Sequence, residues 1–226
     1  MRFQRFWVSL SPLRQALVAA ALLVAASAPA AASAKVIILG DSIGVGLSLA
    51  GGSDRLAHNS VAIRSADILN QLRRIDSSQV AVVSLGTNDA VGNIKGVDKA
   101  IDTIVDYVQR NNLRIVWMGP PCVLKTWNTN VVQLDRLLQD KLRRHAQITY
   151  VSVADDNFCD RSLRAADGVH FTMKGYGALW SRVKEKSGLR DDRATPVRAL
   201  QPAYTSASTK KKKKKYRAKI DTRGSA

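Results

Sequence analysis

Short apolar runs alternate with amphipathic helical stripes through the middle of this chain, and this alternation limits the possible folds. Five runs are typical of buried strands, at residues 35–40, 59–63, 79–85, 113–118 and 148–153. Between the runs, apolar residues recur every three or four positions. Strands that are mostly apolar and alternate with amphipathic helices indicate a parallel sheet covered on both faces. The sequence therefore predicts an α/β fold, a three-layer α/β/α sandwich with a five-stranded parallel sheet.

The first 34 residues differ from this middle. Three arginines precede an apolar stretch at 16–26, and an Ala-x-Ala pattern ends at Ala34. These features are typical of a secretory signal peptide, and we expect cleavage after Ala34. A retained membrane anchor is the alternative, but an anchor needs about 20 apolar residues. The protein is therefore expected outside the cytoplasm, in the periplasm or secreted.

The last segment, residues 190–226, is expected to be a disordered basic tail. It contains the six lysines Lys210 to Lys215 and holds most of the formal net charge of +17. Charge blocks without core-forming residues favour disorder. Such a tail could bind an anionic wall polymer or lipid headgroups, or it could be a solvated extension. No specific nucleic-acid partner is expected, and residues 35–189 remain as the single folded domain.

Polar motifs follow three of the predicted strands. Ser42 follows the first strand, Asn88 the third, and Asp167 and His170 the fifth. The carboxyl ends of parallel strands share one edge of a sheet, so these side chains should meet there. An aspartate three residues before a histidine can hold the imidazole by Nδ1–H, which leaves the other nitrogen to take a proton from a serine. We therefore predict Ser42, His170 and Asp167 as the catalytic residues of a serine hydrolase.

Three blocks together resemble the SGNH (GDSL-type) hydrolases. They are Gly-Asp-Ser at 40–42, Gly-x-Asn-Asp at 86–89 and Asp-x-x-His at 167–170, and the resemblance covers about residues 35–186. It implies a flavodoxin-like sheet in the order 2-1-3-4-5 and hydrolysis of acyl esters without a metal. The residues at 40–44 also fit the nucleophile elbow of α/β-hydrolases. That fold usually has several strands before its elbow, so we reject this assignment.

The resemblance also implies an oxyanion hole. Its donors would be the backbone N–H groups of Ser42 and Ser60 and the side-chain amide of Asn88. The family usually has a glycine where this chain has Ser60, and Gly51 and Gly52 are alternatives for that donor. The chain has no His/Cys cluster at ligand spacing, so we expect neither a metal nor another cofactor.

Two cysteines, Cys122 and Cys159, follow the predicted fourth and fifth strands. In an exported protein an even number of cysteines indicates a disulfide, although two separately buried thiols remain possible. The sequence as a whole predicts an exported serine esterase that acts on acyl or acetyl esters, on cell-wall polysaccharide or lipid. The alternatives are an O-acyltransferase with the same triad and a non-catalytic wall- or membrane-binding module.

Overall fold

The computed structural model describes residues 34–190, so the expected signal peptide and basic tail lie outside the described residues except for Ala34 and Arg190. Five parallel strands form one sheet in the order β2-β1-β3-β4-β5. The strands are β1 Lys35–Gly40, β2 Asp54–Arg55, β3 Gln79–Ser84, β4 Arg114–Met118 and β5 Ile148–Val151. The predicted fold class and strand order are confirmed.

Helices cover both faces of this sheet. They are α1 Ser42–Gly51, α2 Ala66–Leu72, α3 Thr87–Val91, α4 Val97–Arg110, α5 Asn128–Leu142 and α6 Met173–Ser187. Helices α1 and α6 pack on one face, and α2, α4 and α5 pack on the other. Within residues 34–190, none of the helices has the length and apolar character that a membrane span requires.

Alternate residues of each strand feed the two cores. In β1, Ile37 and Leu39 pack beneath α2 and α4, whereas Ile38 packs beneath α1 and α6. All three side chains are buried. Burial of each such side chain contributes about 1.5–3 kcal/mol, which explains why the strands are apolar on both faces.

The prediction for the second strand is wrong. Strand β2 consists only of Asp54 and Arg55, and residues 59–63 form an irregular loop. Val61 and Ile63 are nevertheless buried in the core beneath α2. The apolar run therefore reflects burial of a loop, because backbone groups of this segment bond to the side chains of Asn88 and Asp89 in α3 instead of to a neighbouring strand.

A disulfide joins the two connections that follow β4 and β5. Cys122 and Cys159 are bonded, with their Cα atoms 5.3 Å apart. The backbone N–H of Cys122 also donates to the carbonyl oxygen of Val153 (3.2 Å), which extends the β4–β5 pairing beyond the regular strands. The covalent link closes a loop between residues separated by 37 positions.

Removal of this bond should lower the stability of the domain. For a separation of 37 residues, the chain-entropy relation gives a loss of about 3–4 kcal/mol in the free energy of unfolding. Denaturant unfolding of the Cys122→Ala/Cys159→Ala protein would measure this loss. A reductant should lower the midpoint of the wild type and leave the double variant unchanged. Equal unfolding midpoints for the oxidised wild type and the double variant would contradict the expectation.

Candidate active site

The turn that presents Ser42 depends on a glycine at the end of β1. Gly40 has a φ of 109°, and a Cβ at this position would run into the carbonyl oxygen of Ser84 on β3. The backbone N–H of Asp41 donates to the same oxygen (3.0 Å). Glycine tolerates both this conformation and this close approach. Ser42 therefore leaves the sheet beside β3 as the first residue of α1.

A buried glutamine holds the backbone of this turn. Gln71 on α2 accepts a hydrogen bond from the N–H of Gly40 (2.6 Å) and donates one to the carbonyl of Gly40 (3.2 Å). Its side chain is only 4% exposed. The sequence analysis did not single out Gln71. Its only signal is that a polar residue stands on the apolar stripe of α2, between Ile68 and Leu72.

The structure brings the three predicted catalytic side chains into one hydrogen-bonded chain. The Oγ atom of Ser42 lies 2.9 Å from Nε2 of His170, and Nδ1 of His170 lies 2.6 Å from Oδ2 of Asp167. Since the carboxylate can only accept at Nδ1, the neutral imidazole carries its proton there. Its Nε2 atom is then free to accept the proton of the serine hydroxyl, which is the arrangement of an activated nucleophile.

Asp167 is stabilised as an anion by several donors. Its other carboxylate oxygen accepts hydrogen bonds from the backbone N–H groups of Val169 and His170, both at 2.9 Å. Partial burial raises the pKa of Asp167, but the hydrogen bonds from the His170 ring and from the two N–H groups outweigh it and hold this pKa at about 2. Asp167 is therefore ionised near neutral pH and can stabilise an imidazolium.

Two of the predicted oxyanion donors belong to segments that contact each other, namely Asn88 in α3 and Ser60 in the loop after β2. The side-chain amide of Asn88 donates to the carbonyl oxygen of Val61 (2.8 Å), the residue that follows Ser60. In the described part of the chain, the second N–H of this amide has no protein partner. Asn88 thus holds the loop after β2 with one N–H group and can offer the other to a ligand.

Asp89 holds the same loop two residues further along the chain, at Ile63. Its buried carboxylate accepts hydrogen bonds from the backbone N–H of Ile63 (2.8 Å) and from the side chain of Arg64 (3.3 Å). Burial raises the pKa of Asp89, and these donors offset part of that rise. The Asn88-Asp89 pair therefore fixes the loop that contains Ser60.

Ser60 occupies a backbone conformation that favours glycine. It lies in the loop after β2, is exposed, and has a φ of 66°. This explains why the resemblance implies a glycine here. The alternatives Gly51 and Gly52 stand at the far end of α1, roughly 13 Å from Ser42 at 1.5 Å per residue. The structure therefore excludes them as donors to the same oxyanion.

The loop of Asp167 and His170 is also held from the β4 side. Gly168, between these two residues, has a φ of 68°, and its carbonyl oxygen accepts a hydrogen bond from the backbone N–H of Leu124 (2.8 Å). Leu124 lies two residues after Cys122, so the disulfide-linked connection contacts the histidine loop directly. This backbone contact has no signal in the sequence.

The other two histidines and Trp127 do not join this group. His58 and His145 contact the carbonyl of Asn59 and the side chain of Gln109. Trp127 is half-buried against the core beneath α5. Across residues 34–190, no group of three His, Cys, Asp or Glu side chains is arranged to hold a metal ion.

The carboxyl group of Asp41, beside Ser42, is fully buried. Asp41 caps α1, and its Oδ1 atom accepts hydrogen bonds from the N–H groups of Ile43 and Gly44 and from the hydroxyl of Ser84. Its Oδ2 atom has no partner in the described part of the chain. Burial raises the pKa of Asp41 to about 7 and outweighs these three donors. A proton on Oδ2 fits this asymmetry.

The raised pKa of Asp41 predicts a pH dependence of stability. Between about pH 4 and pH 7 the carboxyl is ionised in the unfolded chain but protonated in the fold, so its contribution to stability falls as the pH rises. The neutral Asp41→Asn protein lacks this loss. Its free energy of unfolding should therefore rise relative to the wild type by about 2–4 kcal/mol between pH 4 and pH 7.

Denaturant unfolding at several pH values would measure this difference. The Asp106→Asn substitution provides the matched control, because it makes the same chemical change at an exposed position of α4. A difference between Asp41→Asn and the wild type that stays constant from pH 4 to pH 7 would show that Asp41 is already ionised at low pH.

Solved structures with this architecture come from several sources. A protein named as a candidate acylhydrolase from Bacteroides fragilis is 18% identical with a TM-score of 0.56, and covers 83% of this chain and 100% of that one. A GDSL-like lipase from Bacteroides thetaiotaomicron is 16% identical with a TM-score of 0.54, and the match covers 76% of this chain and 96% of that one. The OSK domain of Drosophila Oskar is 11% identical with a TM-score of 0.52, and the match covers 66% of this chain and 86% of that one. At these identities the likeness shows the fold, and the fold alone does not establish an activity.

Comparison by sequence gives a family but no characterised relative. No curated protein matches this chain. The model of a family described as "Protein of unknown function (DUF459)" matches residues 56–186, more than half of the chain. The matched range includes Asn88, Asp167 and His170 but begins after Ser42. The chain therefore belongs to the DUF459 family of proteins of unknown function, and it has the fold of the GDSL/SGNH hydrolases.

Proposed function

We propose that this protein is a serine esterase that hydrolyses acyl or acetyl esters. One observation carries the proposal, namely the continuous hydrogen-bonded chain from Ser42 through His170 to Asp167. Ser42 Oγ attacks the acyl carbonyl while His170 takes its proton, and Asp167 stabilises the imidazolium. His170 then returns the proton to the leaving alcohol. A water molecule activated by His170 attacks the acyl-enzyme and releases the acid, which restores the Ser42 hydroxyl.

Three donors stabilise the tetrahedral oxyanion in this mechanism. Ser42 is the first residue of α1, so its backbone N–H has no acceptor within the helix. The second donor is the side-chain N–H of Asn88 that Val61 does not use. The third is the backbone N–H of Ser60, in the loop that Asn88 and Asp89 hold. All three are fixed before substrate binds, which is the condition for effective charge stabilisation.

The substrate is a negatively charged ester outside the cytoplasm. In the connection after β5, Asp156 and Asp160 are exposed acids. In residues 56–65, 85–96 and 119–127, which follow β2, β3 and β4, every exposed charged side chain is cationic, namely Arg64, Lys95 and Lys125. The one acid of these three segments, Asp89, is buried. An acylated acidic wall polysaccharide or an anionic lipid fits these charges. The signal-like segment at residues 1–34 and the Cys122–Cys159 disulfide support export, because disulfides persist in oxidising compartments.

Substitution of the nucleophile and of one oxyanion donor tests the reaction. Ser42→Ala should abolish hydrolysis of p-nitrophenyl acetate, and Asn88→Ala should lower kcat by about 10²–10³-fold, the usual effect of one lost donor. Asn130→Ala is the matched control, because this amide also holds backbone carbonyls near α3, at 3.0 and 3.1 Å, without serving the oxyanion.

Two results would contradict the proposal. Near wild-type turnover by purified Ser42→Ala would exclude Ser42 as the nucleophile. No turnover of any ester by the wild type, combined with tight glycan or lipid binding, would instead favour a binding module. Acylated sugar as the product, in place of free acid, would identify an acyltransferase that uses the same three side chains.

The charge of the active edge gives a separate test of substrate class. Lys95→Gln/Lys125→Gln should raise KM several-fold for an acetylated acidic polysaccharide and weaken the salt dependence of its turnover, because fewer cations face the substrate. Turnover of the neutral small ester should stay unchanged. Arg74→Gln/Arg144→Gln removes two exposed charges at the opposite edge of the sheet and should change neither value. An equal effect of both double variants would refute an anionic-substrate surface.

A further inference from the structure

A buried arginine lies beneath the loop of the predicted acid and base. Arg164 is 6% exposed, and its Nε and Nη2 atoms donate to the carbonyl oxygen of Phe158 (3.0 and 2.6 Å). Its Nη1 atom donates to the carbonyl oxygen of Val169 (2.7 Å), and its guanidinium lies 3.6 Å from the centre of the Phe171 ring. Its hydrogen bonds in the described part of the chain all go to carbonyl oxygens, and none goes to a carboxylate.

Burial of the Arg164 cation costs more free energy than burial of a residue that only packs the core. Burial lowers the pKa of Arg164 to about 10, which reports the cost of removing the charge from water. An apolar side chain of similar volume would avoid that cost, since buried ionic groups are often replaceable without loss of stability. The planar guanidinium, however, can bind two separate backbone segments and stack on a ring at once.

Arg164 contacts the residues on both sides of His170 in the sequence. Val169 and Phe171 are the two neighbours of His170, and Arg164 binds both. The carbonyl of Val169 and the N–H of His170 belong to one peptide group. Arg164 donates to the carbonyl of this group (2.7 Å), and Asp167 accepts from its N–H (2.9 Å). A cation and an anion therefore bind opposite ends of one peptide dipole, and each strengthens the hydrogen bond of the other.

The other end of the guanidinium reaches the disulfide-linked turn. Phe158 precedes Cys159, which is bonded to Cys122. Two backbone hydrogen bonds close the loop below, from Ala165 N–H to the His170 carbonyl and from Thr172 N–H to the Leu163 carbonyl, both 2.9 Å. Arg164 thus connects a covalently anchored segment to the peptide that sets the direction of the imidazole.

We propose that Arg164 is a positioning residue that fixes the Val169–His170 peptide and so aims the His170 imidazole at Ser42. This inference rests on the proposed esterase function and assigns the arginine no contact with substrate. Displacement of an acid–base group by about 1 Å can lower the rate 10²-fold without any change in substrate contacts. The effect of Arg164 should therefore fall on kcat and not on KM.

Three variants test this role in the disulfide-intact protein. Arg164→Gln removes the positive charge and the planar set of N–H donors. It should lower kcat for p-nitrophenyl acetate by about 10²-fold, with KM nearly unchanged. Arg164→Lys retains the positive charge and the apolar stem but not the planar set of N–H donors, and should give an intermediate loss of kcat. Arg161→Gln makes the same chemical change on an exposed arginine of the same connection and should have no effect. Near-ultraviolet circular dichroism and Tm establish that each variant is folded.

A second readout does not depend on turnover. The proton on Nδ1 of His170, in its short hydrogen bond to Asp167, should give a far-downfield ¹H resonance in the wild type and in Arg161→Gln. That resonance should weaken or disappear in folded Arg164→Gln. If Arg164→Gln does not fold, Arg164→Lys decides the question by the same two measurements.

The outcomes separate this inference from the function on which it rests. Unchanged kcat and an unchanged resonance in a folded Arg164 variant would overturn the positioning role. So would a rise in KM with kcat retained, or a loss of activity that only follows the unfolded fraction. If the wild type hydrolyses no ester, the proposed function fails, and the resonance alone still decides whether Arg164 positions His170.

Discussion

The close approach of β1 and β3 at Gly40 and Ser84 is the constraint on which the site depends. The two strands pair in register from Lys35 and Gln79 to Gly40 and Ser84, so their ends reach the same level of the sheet. No Cβ can stand at Gly40, and this lets the chain turn directly into α1. Ser42 and the Asn88 block therefore emerge side by side, at the point where the connections diverge to opposite sides of the sheet.

Polar side chains, of which Gln71, Asp89 and Arg164 are buried, then hold these segments in place. Gln71 holds the backbone before Ser42, Asp89 and Asn88 hold the loop after β2, and Arg164 holds the peptide before His170. Each of these groups bonds to main-chain atoms of another segment. Partly satisfied networks of this kind are costly, and satisfied ones make a single arrangement rigid. The candidate site is thus held both at the predicted oxyanion donors and at the Asp167–His170 pair.

Much of this could be predicted from the sequence, for a physical reason. The spacing of apolar residues indicates which faces of the strands and helices are buried. Motifs that follow parallel strands lie in loops at the same edge of the sheet. The second strand shows where this fails, because Val61 and Ile63 are buried in a loop and carry the same apolar signal as a strand. Gln71 and Arg164 were missed because their partners lie on other segments or are backbone carbonyls, and a carbonyl has no sequence signature.

The central claim is that the Ser42 hydroxyl is a nucleophile activated by His170. The most direct measurement is fluorophosphonate labelling of the full-length protein, with the modified residue located by peptide mass spectrometry. The account predicts covalent modification of Ser42 alone in the wild type and loss of labelling in His170→Ala. No modification of folded wild type, or a label on another residue, would contradict it.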